Sequence, residues 1–449
     1  MTNRGTRWRA RQFTAGACTF ILAAFVAACA PGGSANDEDD DSQPEGPVST
    51  QLPDEDITLT LAFTDGPEMV EELTAAFEEE YPQITIEEQY TQFSDYVQSL
   101  RLNMTSDSAP DIAQYAVVMK ELVANGEIMD LGGYRDAYGW DEKFPTVSMD
   151  QLTSDESGKV YGTGNLYGVP AGLSLTGLYY NKELAEQAGI TEPPTTLEEL
   201  EQALAQAQDA GLTPISVGAL DTGGIHLWAA LINTVMPVEN YRDWVNGVEG
   251  GTMTSDDAVA ATTMFTDWAE AGYFNEGANG TGQEDTTTEF INGESVFLIN
   301  GNWAAGQIAE EMGDNAGFFL MPGQDNSAEP IGSGFSVAYT MSSRTEHPEA
   351  AAAFLDFMAS EQAAQVISDG GFLPVNTEAV PEQEGVLAEV DSGYQSAVEN
   401  ERINQFPDFA APAMLDELTS GIQSLIAGQM EPAAFLESIQ NVRDSYHEQ

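Results

Sequence analysis

The sequence predicts an α/β protein built from two domains. Strand-like and helix-like patterns alternate from residue 57 onward, which indicates parallel strands covered by helices. The chain has 449 residues. Without an N-terminal leader-like segment, roughly 420 remain, which is more than one ordinary hydrophobic core accommodates. Hydrophobic residues make up 42% of the chain, a normal share for a globular protein.

The leader-like segment has the pattern of an export signal. A basic stretch with four arginines and no acidic residue precedes an apolar run, Phe13–Val26, and small residues then lead to Cys29. The alternative is a membrane-spanning helix, which needs about 20 apolar residues. Because this run is shorter and is soon followed by Pro31 and two glycines, we expect a signal peptide over residues 1–28.

Cys29 resembles the cysteine of bacterial lipoproteins whose thiol carries a diacylglycerol. The other cysteine, Cys18, lies inside the apolar run, so cleavage before Cys29 leaves a single thiol. The following residues are Gly, Ser, Pro, Asp and Glu, which bury too little apolar surface to offset the lost chain entropy. We therefore expect a flexible acidic tether over residues 29–54. The globular part is then held at the extracellular face of the cell membrane by lipid alone.

The chain is strongly acidic. It has 14 Lys and Arg against 74 Asp and Glu, which gives a formal net charge of −60. A charge of this sign argues against nucleic acid and against anionic lipid surfaces as partners. Outside the tether the acidic residues are spread along the chain. We expect a surface adapted to high salt, where the screening length falls to about 3 Å at 1 M. An ordinary acidic secreted protein is the alternative.

The first series of elements predicts a ligand crevice. The predicted elements are, in order, a strand at 57–63, a helix over 69–77, a strand at 84–86, a helix at 93–102 and a strand at 110–115. In parallel sheets, ligands bind beyond the carboxyl ends of the strands. Asp65, Gln92 and Tyr115 sit at or just past three such ends, so we expect them to line the crevice. Asp65 could instead serve only the dipole of the following helix, and Tyr115 could be a core residue.

A second series of elements begins near Tyr167. The predicted elements are strands at 178–180, 214–217 and 295–299, and helices at 182–188, 197–210, 348–366 and 414–426. Thr196 is the expected N-cap of its helix, because Glu198 and Glu199 follow in the first turn. The series therefore continues the α/β pattern into the C-terminal part of the chain.

Five motifs, in this order along the chain, resemble those of one protein family. They are Ala109–Ile112; Tyr167–Pro170 with Leu178–Lys182; Ala188–Ile190 with Pro193–Leu200; Phe290–Glu294 with Gly301–Trp303; and Pro348–Phe354 with Phe372–Val375. The chain resembles the extracellular solute-binding proteins of ABC importers, family 1, a group that includes the maltodextrin-binding proteins. The match runs from about residue 55 to the C-terminus. One departure is Leu197, where the family commonly has an aromatic residue.

The resemblance implies a two-lobe periplasmic-binding-protein-like fold of type II, with hinge strands and a ligand cleft between the lobes. It places lobe 1 at 55–168 and 322–360, and lobe 2 at 169–321 and 361–449. Closure of such lobes around a solute is a hinge motion. The closed form then docks on the permease subunits of the importer. We expect a monomer that uses no cofactor.

The resemblance also implies a carbohydrate ligand. Pyranose rings stack on flat aromatic side chains, and their hydroxyls need donors and acceptors. The candidates beyond the first series are Trp228, Asn302, Trp303, Phe335 and Phe409. Trp303 follows Gly301 at the position of the family's cleft tryptophan. The alternatives are core packing for the two tryptophans and a simple turn for Asn302.

The sequence shows no catalytic or metal-binding pattern. Its histidines, His226, His347 and His447, are not at metal-ligand spacing, and no nucleophile elbow or phosphate-binding glycine loop is present. We expect a receptor and not an enzyme. One alternative is a lipid-anchored glycosidase with two carboxylates about 5 to 9 Å apart. Another is a receptor for a non-sugar solute such as ferric ion, with Tyr179 and Tyr180 as ligands.

Overall fold

Two sets of parallel strands are joined by two long strands that both sets share. The computed structural model describes residues 48–64, 66–114, 119–325, 327–376, 380, 383–400 and 402–447. The predicted signal peptide and most of the tether lie outside these residues. The strands are β1 (Ile57–Phe63), β2 (Ile84–Tyr90), β3 (Ile112–Gln114), β4 (Thr153–Ser154), β5 (Asn165–Leu166), β6 (Val169–Asn181), β7 (Thr213–Ser216), β8 (Ser295–Gly301), β9 (Ala316–Phe319), β10 (Gly332–Met341), β11 (Leu373–Pro374) and β12 (Ile403–Asn404).

Helices cover both sets of strands. They are α1 (Pro67–Glu80), α2 (Phe93–Met104), α3 (Met119–Ala124), α4 (Gly132–Tyr138), α5 (Trp140–Lys143), α6 (Thr146–Asp150), α7 (Lys182–Ala188), α8 (Leu197–Asp209), α9 (Gly223–Val235), α10 (Val238–Val245), α11 (Asp256–Glu270), α12 (Gln283–Ile291), α13 (Ala305–Met312), α14 (Pro348–Phe357), α15 (Glu361–Asp369), α16 (Gly385–Glu399), α17 (Met414–Ile426) and α18 (Pro432–His447). In the described part of the chain, no helix is both long enough and apolar enough to cross a bilayer.

The helix starts follow from local sequence. The Thr196 hydroxyl accepts a hydrogen bond from the Glu199 N–H, 3.2 Å away, which confirms the predicted cap of α8. Ser255 and Ser360 cap α11 and α15 in the same way. These bonds satisfy backbone donors that the first turn of a helix otherwise leaves unpaired.

The first set of strands has β1 at its centre. β1 pairs in parallel with β2 along its whole length, from Ile57 beside Ile84 to Phe63 beside Tyr90. It also pairs in parallel with β3, where Leu61 lies beside Ile112. The helices α1 and α2 connect these strands, which confirms the predicted order of strand, helix, strand, helix and strand.

The second set of strands is joined to the first through β6 and β10. The first half of β6 pairs with β10, and the second half pairs with β8 and β9. β7 lies parallel to β8 at the far edge. The resulting order is β2-β1-β3-β10-β6-β8-β7. Because β10 pairs with β3 and with β6, and β6 continues to β8 and β9, these two strands connect the two sets.

The strand register sets the carboxyl ends of the two parallel sets opposite each other. β3 ends at Gln114, beside Tyr339 of β10, and Tyr339 pairs with Val169 of β6. β8 runs the other way and ends at Gly301, beside Thr176 of β6. The two ends are therefore seven residues apart along β6, which corresponds to about 23 Å at the usual rise of a strand. Ligands of such sheets bind at these ends.

The helices after β10 pack on the first lobe. Phe354 of α14 lies edge-on against Phe77 of α1, with ring centroids 5.2 Å apart. Beyond α15, Gly370 lies so close to Met69 that an added Cβ would be 2.9 Å from the Met69 Cβ. Tyr394 of α16, in contrast, belongs to a cluster of buried residues that includes Leu298 of β8. The residue after α15 therefore contacts α1, whereas α16 shares a buried cluster with β8.

Candidate functional site

Aromatic side chains are exposed where the strands of lobe 1 end. Tyr90, the last residue of β2, is 50% exposed, and Phe93, the first of α2, is 36% exposed. Their position at the carboxyl end of a parallel strand, where ligands of such sheets bind, makes them candidates for the site. Between them, Gln92 is exposed, and its backbone carbonyl accepts hydrogen bonds from the N–H groups of Asp95 and Tyr96. Its side chain makes no capping bond, so its amide can serve a ligand.

Two predicted residues of this lobe, Asp65 and Tyr115, lie outside the described residues, as does the predicted lipidation site, Cys29. Their roles stay predictions. Their neighbours Thr64 and Gln114 are described and are held together: the Thr64 N–H donates to Oε1 of Gln114 at 2.9 Å.

Trp303 is partly exposed at the carboxyl end of β8. Its ring lies 5.6 Å from the ring of His226 and 6.5 Å from that of Phe406, measured between centroids. Any side chain at Gly301 would overlap the Trp303 ring, so the glycine lets the indole fold back over the strand end. The three residues Trp303, His226 and Phe406 form what we call the aromatic cluster.

His226 is held in the aromatic cluster by polar neighbours. It lies in the first turn of α9 and is 6% exposed. Its Nδ1 is 3.0 Å from Nε2 of Gln283, and Oε1 of Gln283 accepts a bond from the Thr222 hydroxyl. Burial lowers the pKa of His226 to about 3, so the ring is neutral at ordinary pH. The backbone N–H of Gln283 in turn donates to the carboxylate of Asp221, whose pKa is raised by burial.

The segment that carries Phe406 is rich in buried polar groups. Gln405 is 5% exposed, and its side-chain amide has no hydrogen-bond partner in the described part of the chain, whereas its carbonyl accepts a bond from the Tyr241 hydroxyl. Asp408 is 8% exposed, and burial raises its pKa to about 7. Asn404 anchors the segment, because its Nδ2 donates to Oδ1 of Asn233 in α9. Neutral polar groups of this kind suit hydroxyl recognition.

The prediction for Asn302 needs a correction. The residue is fully buried, and its Oδ1 accepts a bond from the Leu175 N–H. Its Nδ2 donates to the carbonyls of Leu173 and Gly371. Because each polar atom is engaged with backbone, Asn302 braces the strand end and presents nothing to a ligand.

The prediction for Trp228 needs a similar correction. The ring is fully buried, its N–H donates to the Thr262 hydroxyl at 3.0 Å, and it packs edge-on against Phe435. All these partners belong to helices of lobe 2. Residues two apart in a helix point about 200° away from each other. His226 therefore faces Trp303, while Trp228 faces the core.

Phe335 and Phe409 stack on each other. Their ring centroids are 4.1 Å apart, and each residue is 5% exposed. The contact joins β10 to the short helix Pro407–Ala410. In this conformation the pair is packing between segments and not an open platform for a sugar.

The tyrosines considered for ferric ion have other roles. The Tyr179 hydroxyl is buried and donates to the Gly301 carbonyl. Tyr180 packs against Phe319 and lies near the ammonium group of Lys182. Within the described residues, no group of three or more His, Cys, Asp and Glu side chains is placed to hold a metal ion.

A depression of about 480 Å3 lies elsewhere on the surface, lined in part by Tyr81, Glu142 and Asp356. Tyr81 precedes the start of β2, so this depression is not at the carboxyl ends of the strands. The placement of ligands in α/β folds favours the aromatic cluster and the exposed residues of lobe 1 instead.

Sequence reasoning missed several residues of the candidate site, namely Tyr90, Phe93, His226, Gln283 and Phe406. Tyr90 is the last residue of a strand, and that position alone could have identified it as a candidate for the ligand crevice. His226 was considered only as a metal ligand. Its pairing with Gln283, which is 57 residues away, has no local signal in the sequence.

Comparison with known proteins identifies the relatives of this chain. A family model described as bacterial extracellular solute-binding protein matches residues 72–402. The maltodextrin-binding protein of Bacillus subtilis (strain 168) is 25% identical over 372 residues, which cover 80% of this chain and 81% of that protein. A maltooligosaccharide ABC transporter solute-binding lipoprotein of Streptococcus pneumoniae (strain ATCC BAA-255 / R6) is 26% identical over 261 residues, or 55% of this chain and 59% of that protein.

A solved structure confirms the predicted fold class. A chitin oligosaccharide binding protein superposes with a TM-score of 0.75 at 21% sequence identity, covering 87% of this chain and 99% of the other. Since the whole of that protein is matched, the chain has its two-lobed α/β fold.

Proposed function

The chain belongs to the bacterial extracellular solute-binding proteins, and we propose that it captures a neutral mono- or oligosaccharide between its lobes and delivers it to the permease of an ABC importer. The protein is a receptor in this proposal and carries out no reaction.

The observation that carries the proposal is the aromatic cluster at the end of β8. Trp303 is partly exposed, with His226 and Phe406 packed around it. A flat indole beside neutral donors and acceptors matches a pyranose ring, which has apolar C–H faces and a rim of hydroxyls. Across β6 and β10, Tyr90 and Gln92 offer a second ring and an amide on lobe 1.

The relatives support this ligand class. Two of them are named for maltodextrin and maltooligosaccharide binding, and the solved structure is of a chitin oligosaccharide binding protein. The streptococcal relative is named as part of an ABC transporter. An importer partner for this chain is therefore the natural inference, with the sugar and its linkage to be found by experiment.

For the lobes, we propose that β6 and β10 are the hinge and that lobe 1 extends past residue 360. The Gly370–Met69 contact and the packing of α16 on lobe 2 favour a boundary after β11, near residue 376. The ligand then binds one lobe first, and closure follows because the closed state adds contacts from the other.

For the location, we propose a monomer anchored at the extracellular face by a lipid on Cys29. The streptococcal relative is named a lipoprotein. Replacing Cys29 with Ser should release the protein from the membrane fraction into the medium; a variant that stays with the membrane contradicts the anchor.

We also propose that the net charge of −60 reflects growth in high salt. Repulsion among so many carboxylates is relieved when ions screen it. The melting temperature should then rise between low salt and molar NaCl. An unchanged melting temperature would favour the alternative of an ordinary acidic secreted protein.

The test of the function is a carbohydrate panel containing maltotriose, N,N′-diacetylchitobiose, xylobiose and raffinose. At a ligand concentration of 100 times Kd, binding adds about 2.7 kcal/mol to the free energy of unfolding. We expect at least one saturable rise in melting temperature, with the sugar recovered unchanged. Cleavage products would favour the glycosidase alternative. A rise in melting temperature with ferric ion, and with none of the sugars, would favour the alternative of a ferric-ion receptor.

A further inference from the structure

We propose that His226 donates a hydrogen bond from Nε2 to an oxygen of the bound sugar, and that Gln283 is the positioning residue that fixes this tautomer. The inference rests on the proposed function, because the sugar is the acceptor. It adds a specificity element: the site selects a neutral oxygen acceptor next to the stacked ring, and it does so without a charge.

The tautomer follows from the bonds around Gln283. In the Gln283 side chain, Oε1 lies 3.1 Å from the Thr222 hydroxyl and the NH2 group is directed to His226. It lies 3.0 Å from Nδ1. An amide N–H can only donate, so Nδ1 must be an acceptor. A neutral imidazole whose Nδ1 accepts carries its proton on Nε2.

The Nε2 atom is left for a ligand. No hydrogen bond from a described residue reaches it, and the residue as a whole is 6% exposed. The ring around it is packed by Trp303 at 5.6 Å and Phe406 at 5.3 Å. An N–H donor beside two flat apolar rings matches a sugar that stacks one face and presents a hydroxyl or ring oxygen at its edge.

The donor is neutral across the physiological range. Burial lowers the pKa of His226 to about 3, with no charged neighbour contributing to the shift. The acidic residues on the adjoining segments are Asp221, which directly precedes Thr222, and Asp408, two residues after Phe406. The carboxylate of Asp221 accepts a hydrogen bond from the backbone N–H of Gln283. Burial raises the pKa of Asp408 to about 7. Because no cationic side chain accompanies this donor, a carboxylate or phosphate would be buried there without a counter-charge, which favours a neutral acceptor.

Gln283 is itself held rigidly. It is the first residue of α12, and its backbone nitrogen lies 3.1 Å from both carboxylate oxygens of Asp221. An added Cβ at Gly282 would lie 3.0 Å from Oδ2 of Asp221, so a larger residue there would crowd this carboxylate. Asp221 thus holds the backbone of Gln283 in place, and the Gln283 side chain orients the ring of His226.

The test combines a tautomer measurement with binding. In protein labelled with 15N-histidine, the ring nitrogen signals report which nitrogen carries the proton, and the His226 signals are identified by their loss in a His226→Gln variant. Gln283→Glu replaces the donating NH2 by a carboxylate that accepts. The proton should move to Nδ1, Nε2 becomes an acceptor, and the donor to the sugar is lost. Gln429→Glu, at an exposed residue, adds the same charge as a matched control.

We expect wild type and Gln429→Glu to carry the Nε2 proton and to bind the best panel sugar, with maltotriose as the first probe, equally well. Gln283→Glu should bind about 10-fold more weakly at pH 7, since a buried hydrogen bond is lost. The carboxylate also raises the pKa of His226, so at lower pH the imidazolium regains an Nε2 proton. The ratio of the variant's Kd to that of wild type should therefore fall as the pH is lowered from 7 to 5. A merely structural role of Gln283 would not produce this recovery.

The outcomes separate the two claims. A proton on Nδ1 in wild type overturns the inference whatever the protein binds. Sugar binding by wild type with an unchanged Kd in Gln283→Glu also overturns it, and leaves the proposed function standing. If the Nε2 proton is found but no sugar binds, the proposed function fails, and the role of His226 as a sugar donor fails with it.

Discussion

The side-chain oxygen of Asn302 accepts a hydrogen bond from the Leu175 N–H at 2.8 Å, and this bond ties the end of β8 to the middle of β6. The amide nitrogen of the same side chain reaches the Leu173 and Gly371 carbonyls. One buried amide therefore joins three segments of the chain beneath the aromatic cluster. Asn302 and Trp303 are neighbours in sequence, but Asn302 is fully buried and Trp303 is partly exposed.

Replacing Asn302 with alanine should lower the free energy of unfolding by about 2–4 kcal/mol, since three buried backbone groups lose their partner. Chemical denaturation with urea measures this as a lower midpoint. The folded fraction should still bind sugar, because the side chain offers nothing to a ligand. A variant of unchanged stability whose affinity has collapsed would contradict this assignment and return Asn302 to the list of ligand contacts.

Replacing Trp303 with alanine should weaken sugar binding by roughly 2–4 kcal/mol, through lost stacking and lost buried area. That corresponds to a Kd raised by roughly 30- to 1,000-fold. Isothermal titration with the best panel sugar measures it. An unchanged Kd would show that the ring lies outside the site.

Trp228 provides the matched comparison. Trp228→Phe keeps an aromatic ring in the core but loses the N–H bond to Thr262, so it should cost about 1 kcal/mol of stability. Sugar affinity should not change, because the ring is fully buried among helices of lobe 2. A large loss of affinity here, with little loss at Trp303, would reverse the roles that we assign to the two tryptophans.

The elements that local sequence determines were predicted well. The alternation of Ile57–Phe63, the cap at Thr196 and the strand from Ser295 follow from side-chain periodicity and capping, and all are confirmed. What the sequence could not show is packing between distant segments. The bonds of Asn302 span 127 residues to Leu175, and no local pattern records such a partner.

The candidate site was predicted less completely for a related reason. Trp303 was found because a glycine-containing motif precedes it, and its role in binding remains a prediction. In the segment around Thr222, however, the resemblance pointed to Trp228, and His226 was considered only as a metal ligand. The side chains of Trp228 and His226 leave helix α9 on different sides. Which side faces Trp303 depends on how the helix packs against the rest of the protein.

Asp408 should make stability depend on pH. Burial raises its pKa from 3.8 to about 7, so between these values the folded protein holds a proton that the unfolded chain has released. The contribution of this residue to stability therefore falls as the pH rises through that window. Asp408→Asn removes the ionisable group, so the stability of the variant relative to wild type should increase from pH 4 to pH 7. Urea midpoints at several pH values measure it, and a constant difference would show that Asp408 ionises normally.

Lys120 should be a destabilising residue at neutral pH. Its ammonium group is fully buried, 4.5 Å from the centre of the Tyr161 ring, and has no hydrogen-bond partner among the described residues. Burial, with a smaller effect of Arg443, lowers its pKa from 10.5 to about 7. Between these values the unfolded chain holds the extra proton, so wild-type stability should rise with pH across that window.

Lys120→Met keeps the apolar stem and should stabilise the protein at pH 7 by about 1–3 kcal/mol, because a buried unpaired amine is removed. The same change at Lys182, which is partly exposed and paired with Glu389, should alter stability by less than about 1 kcal/mol. Thermal and urea unfolding measure both. Destabilisation by Lys120→Met would mean that the amine has a partner that holds it in place.

The most direct test of the account is isothermal titration of the purified protein with the carbohydrate panel, together with analysis of the recovered sugar. We predict saturable binding of one sugar per protein with no products formed, and loss of that binding in Trp303→Ala. A protein that binds none of these sugars, or that cleaves them, would contradict the central claim that the cleft between the lobes is a carbohydrate receptor.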